Sequence, residues 1–295
     1  MLSTLSSTKV SGSSQCIRVG KYVLHEKIAE NVFKAANVHS GKHLFCKVFP
    51  ISRYSQSLAV YFHLPVHPNL NHPSEIILGH STAYAFFEHM YGHLYRYVQF
   101  SKALCEDEAL SLFHQVVSVV AHCHNNGVVL HSLNLKNFSF KNVERTQLTL
   151  CTLEDAFILE KDDFVSGKHT CPVYISPESL QPESTFSGKA SDVWTLGVIL
   201  YTLLVGSYPF IHSNLNGLYR KIQKCKFNFP EMLSPKAKCL ICSILRSDPS
   251  ERLTADEILS HPWFSSSGYS QYMWRKMFYR EEDQTVPSLK QITIN

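Results

Sequence analysis

A chain of 295 residues that is 44% hydrophobic has enough apolar side chain to bury a full core, which excludes a disordered or low-complexity protein. Its 28 lysines and arginines against 24 aspartates and glutamates leave +4, too small a bias to mark nucleic acid or a membrane as the main partner, so the expected partners are proteins. Nine cysteines without paired framework spacing and no apolar leader segment point to a reducing intracellular compartment. The longest apolar run, 196–205, is too short to span a bilayer.

Residues 1–20 are rich in Ser and Thr, poor in large apolar groups, and predicted to form a mobile arm. Structure is expected from Tyr22. Up to about Phe87, short β-branched and aromatic runs such as 42–49 and 83–87 are broken by Ser-Gly and Pro turns, the pattern of a small strand-rich lobe. His63, His67 and His72 sit there among prolines without a cysteine or carboxylate at ligand spacing, and read as packing or solvated histidines rather than a zinc site.

From about Glu106 the period changes. Leu110, Phe113, Val117 and Val120 form one helical stripe, acidic residues fill the first turn, and Gly127 follows the end. Residues 192–205 are apolar nearly all round, as expected of a helix at the centre of a large lobe. Cys239 and Cys242 have C-x-x-C spacing but no second pair nearby, and their segment reads as an amphipathic core helix. The predicted class is α+β, two-lobed, with a strand-rich N-lobe over about 21–88, a helical C-lobe over about 93–264, and a tail over 265–295.

Residues 130–137, Leu-His-Ser-Leu-Asn-Leu-Lys-Asn, line up with the protein-kinase catalytic loop and put Ser132 where the catalytic Asp belongs. Further segments follow in kinase order over roughly 20–264. Lys47 in Cys-Lys-Val-Phe matches the strand lysine that meets nucleotide phosphates, and Ser176-Pro177-Glu178 matches A-P-E. Asp192, Trp194 and Gly197 resemble the start of the buried large-lobe helix, and Arg252 the arginine that pairs with the A-P-E glutamate. A buried Arg–Glu pair is costly to break from one side, so Glu178, Asp192 and Arg252 read as structural residues.

The chemical set is depleted. The missing Asp would accept the substrate proton, a role that contributes about 10² to 10⁴ in rate. The phosphate-covering loop needs glycines so that backbone can approach the anion, yet 26–35 contains none and Glu30 would repel phosphate. No Asp or Glu lies between Glu30 and Glu75, so Lys47 is expected to lack its helix glutamate. Thr152-Leu153-Glu154 replaces D-F-G, removing a hard oxygen ligand for Mg²⁺, and Asn134 replaces the loop lysine.

Asn137 stands at the second metal-ligand position; it and Lys47 are vestiges of a nucleotide site. Leu130 and Leu153 are apolar replacements that could continue a hydrophobic column between the lobes. His131 replaces the arginine that clamps a phosphorylated activation loop, and Cys171 replaces a substrate-anchoring threonine. The expectation is no catalysis, weak or absent ATP binding and no Mg requirement. The alternative is a weak or unconventional ATP-binding serine/threonine kinase with Glu154 recruited for metal or another lysine supplying the lost charge.

Beyond the large lobe, Asp283-Gln284-Thr285-Val286-Pro287 is by itself a short polar loop with one apolar point. Together with the altered catalytic loop, Cys-Lys-Val-Phe, Thr-Leu-Glu-Asp and the segment Ile258 to Phe264, it makes the whole chain resemble the Tribbles family of pseudokinases. The resemblance implies that Asp283, Gln284, Val286 and Pro287 dock on a constitutive photomorphogenic E3 ubiquitin ligase. It also implies that Ile258, Leu259, His261, Pro262, Trp263 and Phe264 form a stretch associated with MAP kinase kinases, although His-Pro-Trp-Phe is also a common packing terminus of the kinase large lobe.

Such an adaptor would work in cytoplasm and nucleus, holding a client such as a CCAAT/enhancer-binding transcription factor while its tail recruits the ligase and regulating MAP kinase signalling. Departures from the family are the Ser132 and Asn134 replacements in a loop usually reading R-D-L-K, and Ser288 after the tail motif in place of an acid.

Overall fold

The computed structural model describes residues 16–167, 171–181 and 185–265. The small lobe is a six-stranded antiparallel sheet of β1 (Ile17–Val19), β2 (Tyr22–Ala29), β3 (Val32–Asn37), β4 (His43–Pro50), β5 (Glu75–Leu78) and β6 (Thr82–Glu88), in the order β1-β2-β3-β4-β6-β5. One face packs Val19, Tyr22, Leu24, Ala35, Leu44, Cys46 and Phe86 into a core of its own. The helical segments α1 (Tyr54–Ser57) and α2 (Ala59–His63) precede β5, and Leu58, Tyr61 and Leu64 join Ala85 and Phe87 in the main core.

The first strand begins at Ile17, ahead of the expected start at Tyr22, and Val19 pairs with Tyr22. Three residues are too few for periodicity to reveal a strand. The glycine-free segment forms a tight hairpin in which Ala29 pairs with Val32 and Lys34 bonds Glu26 at 2.6 Å.

The large lobe holds α3 (Leu94–Ser101), α4 (Glu106–Asn125), β7 (Val128–Val129), β8 (Phe138–Phe140), β9 (Leu148–Leu150), β10 (Phe157–Ile158), β11 (Phe164–Val165), β12 (Phe186–Ser187), α5 (Gly188–Val205), α6 (Leu215–Gln223), α7 (Pro235–Ile244) and α8 (Ala255–Leu259). The stripe Leu110, Phe113, Val117 and Val120 is buried on α4, whose first turn carries Glu106, Asp107 and Glu108 at the positive end of the helix dipole. Residues 192–204 of α5 are all buried, which places this helix at the centre of the lobe. It ends at Gly206, in the left-handed region, where an added Cβ would lie 1.6 Å from the Lys102 carbonyl oxygen, so only glycine fits.

On α7 the buried stripe is Ala237, Leu240, Ile241 and Ile244, which turns Cys239 and Cys242 outward. The helix is amphipathic as expected, but its two cysteines are exposed and are not part of the core. Among the described residues no cluster of three His, Cys, Asp or Glu could hold a metal ion, and no helix is long and apolar enough to cross a membrane.

Candidate functional site

The loop 130–137 hangs from α5. Asp192 is 1% exposed, and its carboxylate accepts the Leu130 and His131 backbone N–H groups, each at 2.8 Å, and contacts His124 Nε2 at 3.0 Å. Two charge-assisted bonds to consecutive amides fix the loop path, including the left-handed backbone of His131 (φ 62°). The predicted structural role of Asp192 thus has a definite target. Ser132 is buried behind this turn, and its hydroxyl has no hydrogen-bond partner among the described residues. It borders a cavity of about 10 Å³, room for about one water, walled also by Asn137, Thr152, Leu153 and Glu154.

The two asparagines are committed to the backbone. Asn134 Oδ1 accepts the Lys136 amide at 2.9 Å, while Asn137 Oδ1 accepts the Asn134 amide at 2.7 Å, a reciprocal cap on the single helical turn 135–137. The Asn134 carboxamide also donates to the Ser132 carbonyl at 2.9 Å. The Asn137 oxygen that a kinase would turn toward a metal is therefore spent on holding the loop.

Lys47 is paired, contrary to the expectation from the missing helix glutamate. Its register in β4, opposite Val32 and Ala85, aims the side chain across the cleft, where Nζ lies 2.7 Å from Glu154 Oε1 and 5.5 Å from the Phe87 ring centre. Partial burial works against ionisation of Glu154, but the Lys47 hydrogen bond and charge outweigh it and hold the carboxyl below its ordinary range. In a kinase the partner of this lysine stands on the small-lobe helix, whereas here the carboxylate comes from the position of the D-F-G glycine.

Where a kinase carries its helix glutamate, α2 supplies Tyr61. This buried phenol accepts the Leu153 amide at 3.2 Å and lies 5.6 Å from the Phe87 ring. Tyr61 was missed by sequence reasoning, because a tyrosine in a five-residue helix gives no signal of its own. Thr152 turns its hydroxyl to the Glu154 amide at 3.4 Å. The groups present do not fit a Mg-bound nucleotide: the lysine is neutralised by Glu154, Asn137 faces its own loop, and no aspartate stands at 152.

Arg252 grips Glu178 with both terminal nitrogens, at 2.7 and 2.6 Å, and donates to the Ala190 and Arg246 carbonyls, each at 2.9 Å. Its guanidinium lies 5.0 Å from the Trp194 ring centre, so the predicted pair closes a network between the A-P-E segment and α5.

Ile258 and Trp263 are buried, and the Trp263 indole donates to Glu106 at 3.1 Å. Phe264 stacks on Phe113 with ring centres 6.2 Å apart. Leu259, His261 and Phe264 are half-buried, and Pro262 and the intervening Ser260 are exposed. Asp283, Gln284, Val286 and Pro287 lie outside the described residues.

The protein kinase domain family matches residues 29–264. Tribbles homolog 2 of Canis lupus familiaris is 54% identical over 256 residues, covering 86% of this chain and 75% of the relative. Tribbles homolog 1 of Homo sapiens is 53% identical over 238 residues, covering 80% and 64%. Tribbles homolog 3 of Rattus norvegicus is 43% identical over 277 residues, covering 93% and 79%. With a kinase scaffold whose cleft lysine is held by Glu154 and relatives matched across both lobes, the chain belongs to the Tribbles family.

Proposed function

We propose that this protein is a pseudokinase adaptor that neither transfers phosphate nor requires a nucleotide or Mg²⁺. The observation that carries the reading is the Lys47–Glu154 pair, 2.7 Å apart, which neutralises the strand lysine that kinases use for phosphate. Ser132 supplies no base near neutral pH, and Asn137 is occupied by the loop cap. A scaffold held by Asp192 and by Glu178–Arg252 then serves to present surfaces.

In this reading the large lobe holds MAP kinase kinases or a transcription-factor client of the CCAAT/enhancer-binding type. Asp283, Gln284, Val286 and Pro287 recruit an E3 ubiquitin ligase of the constitutive photomorphogenic type, in cytoplasm and nucleus. Tethering raises the local concentration of ligase around the client and favours its ubiquitylation, with no new chemistry at the cleft. About eighteen residues lie between the lobe and Asp283, a length of chain that could span at most about 60 Å, enough to reach a neighbouring molecule.

The test is capture from cell lysate on the full chain and on its Val286→Ala, Pro287→Ala double variant. Loss of ligase with undiminished client is expected, and equal ligase recovery by both would remove the tail from the mechanism. In parallel, ATP titration with Mg²⁺ or with EDTA is expected to give no metal-dependent thermal stabilisation. Phosphate transfer abolished by Lys47→Ala would instead establish the kinase alternative.

A further inference from the structure

The longest acid-free stretch of the large lobe runs from Asp192 to Glu231, and within it Arg220, Lys221, Lys224 and Lys226 are all exposed. Helix α6 buries Leu218 and Ile222 and turns its cationic face outward over a groove of about 480 Å³ lined by His212, Asn214, Asn216, Gly217 and the first three of these cations. Among the described residues no carboxylate pairs with Arg220, Lys221 or Lys224.

The groove is held in shape. Asn214 caps α6 by accepting the Gly217 amide at 2.8 Å, and Lys221 donates to the Ile211 carbonyl at 2.7 Å, tying the loop to the helix. The His212 ring rests against Gly217, where an added Cβ would come within 2.1 Å of it, so any side chain at 217 would displace the ring. Ile211 and Leu215, next in sequence to the groove-lining His212, Asn214 and Asn216, are each 54% exposed, two large apolar side chains open to a partner.

We propose that the α6 groove docks an acidic segment of a partner protein carrying apolar anchors. Unpaired cations over an acid-free surface attract carboxylates, and Ile211 and Leu215 give such a segment an apolar contact that a free anion or a nucleic-acid backbone would not use. A bare phosphate site would need neither. The groove is built from residues 212–224 alone, so the proposal holds whether or not the ligase reading does.

The test uses the full chain and a fluorescent synthetic peptide with a run of glutamates beside two leucines. Fluorescence anisotropy is expected to report binding that weakens as salt rises, because screening shortens from about 8 Å at physiological ionic strength to about 3 Å at 1 M. Exchanging the glutamates for glutamine, the leucines for serine, or using Arg220→Glu with Lys224→Glu should each weaken binding about tenfold or more. Leu215→Ser should weaken it also, with melting temperatures unchanged in these surface variants, and Val286→Ala with Pro287→Ala should leave it intact.

Equal binding of the glutamine peptide, or by the charge-reversed chain, overturns the proposal. So does displacement by inorganic phosphate or heparin together with indifference to the leucines, which would make the groove a general anion patch. Binding that emerges only after Glu281→Gln and Glu282→Gln would identify the chain's own tail as occupant, and competition by self-association would identify a second copy; either result overturns a partner peptide.

Discussion

The Lys47 ammonium lies 2.7 Å from the Glu154 carboxylate, 107 residues further along the chain. The pair joins the small-lobe sheet to the segment at the D-F-G position, and it places a carboxylate where phosphate oxygens would have to sit. Freeing Lys47 should therefore restore some affinity for phosphate. We expect Glu154→Gln to gain an ATP-dependent, Mg-independent rise in melting temperature of at least ~2 °C, absent in the parent chain.

The stability cost of Glu154→Gln should stay within about 1 kcal/mol, since the Glu154 side chain is 69% exposed. Its lowered carboxyl stabilises the fold above the ordinary value of 4.5, and that contribution fades as pH falls below it. Thermal-shift titration with ATP in EDTA checks the prediction, and an unresponsive Glu154→Gln variant would show that the ion pair is not what excludes phosphate.

Arg252→Ala should be far more damaging than its distance from the cleft suggests. The Arg252 side chain is 1% exposed and that of Glu178 12%, so truncation removes two charge-assisted bonds from a largely buried carboxylate and the donors to the Ala190 and Arg246 carbonyls together. A loss of about 3–5 kcal/mol is expected, measurable as a lower urea midpoint with an unchanged slope. Lys21→Ala breaks an exposed pair with Glu75 of similar length, 2.7 Å, and should leave the midpoint unmoved.

The contrast between these two pairs also marks what the sequence could reveal. Arg252 and Glu178 are legible because each sits in a motif whose partner is known from the motif itself. The α4 stripe and the all-round apolar α5 were legible from their period. The Lys47 partner was not legible, because a contact spanning 107 positions leaves no local pattern and its carboxylate lies outside the small lobe. Asn134 and Asn137 were read as lost and surviving chemistry, whereas their spacing of three suits the reciprocal cap they form. On α7 the helical period was legible, and the stripe it buries, Ala237, Leu240, Ile241 and Ile244, leaves Cys239 and Cys242 facing solvent.

Two histidines should make stability fall in mild acid. His67 is pushed down to about 4 by burial, with the charges of His122 and His72 adding to it, and its ring stacks on His122 at 4.7 Å. His114 is pushed down to about 4 by burial beside Phe264. Both are neutral in the fold and take up protons more readily when unfolded, at the ordinary value of 6.5. Their contribution is complete above pH 6.5 and is lost progressively as pH falls toward about 4. Urea titrations across this window should slope downward toward acid, and the double variant His67→Gln, His114→Gln should flatten that slope; an unchanged slope would assign it to other groups.

The stretch from Ile258 to Phe264 poses a choice between packing and recognition, and burial separates the two. Trp263 is 1% exposed, sits 6.3 Å from Phe113 ring to ring, and donates its indole N–H to Glu106, which also holds the Ser234 amide at 2.7 Å. Removing it should cost about 3–5 kcal/mol and loosen the start of α7 along with the end of α8. Pro262 is exposed, and Pro262→Ala should alter stability by no more than about 0.5 kcal/mol. Capture of a MAP kinase kinase by these two variants, measured beside their melting temperatures, gives the decision. If the stretch is a docking surface, Pro262→Ala weakens capture at unchanged melting temperature. If it is a lobe terminus, capture survives Pro262→Ala and falls in Trp263→Ala only in step with unfolding. The buried indole and its bond to Glu106 favour the second result.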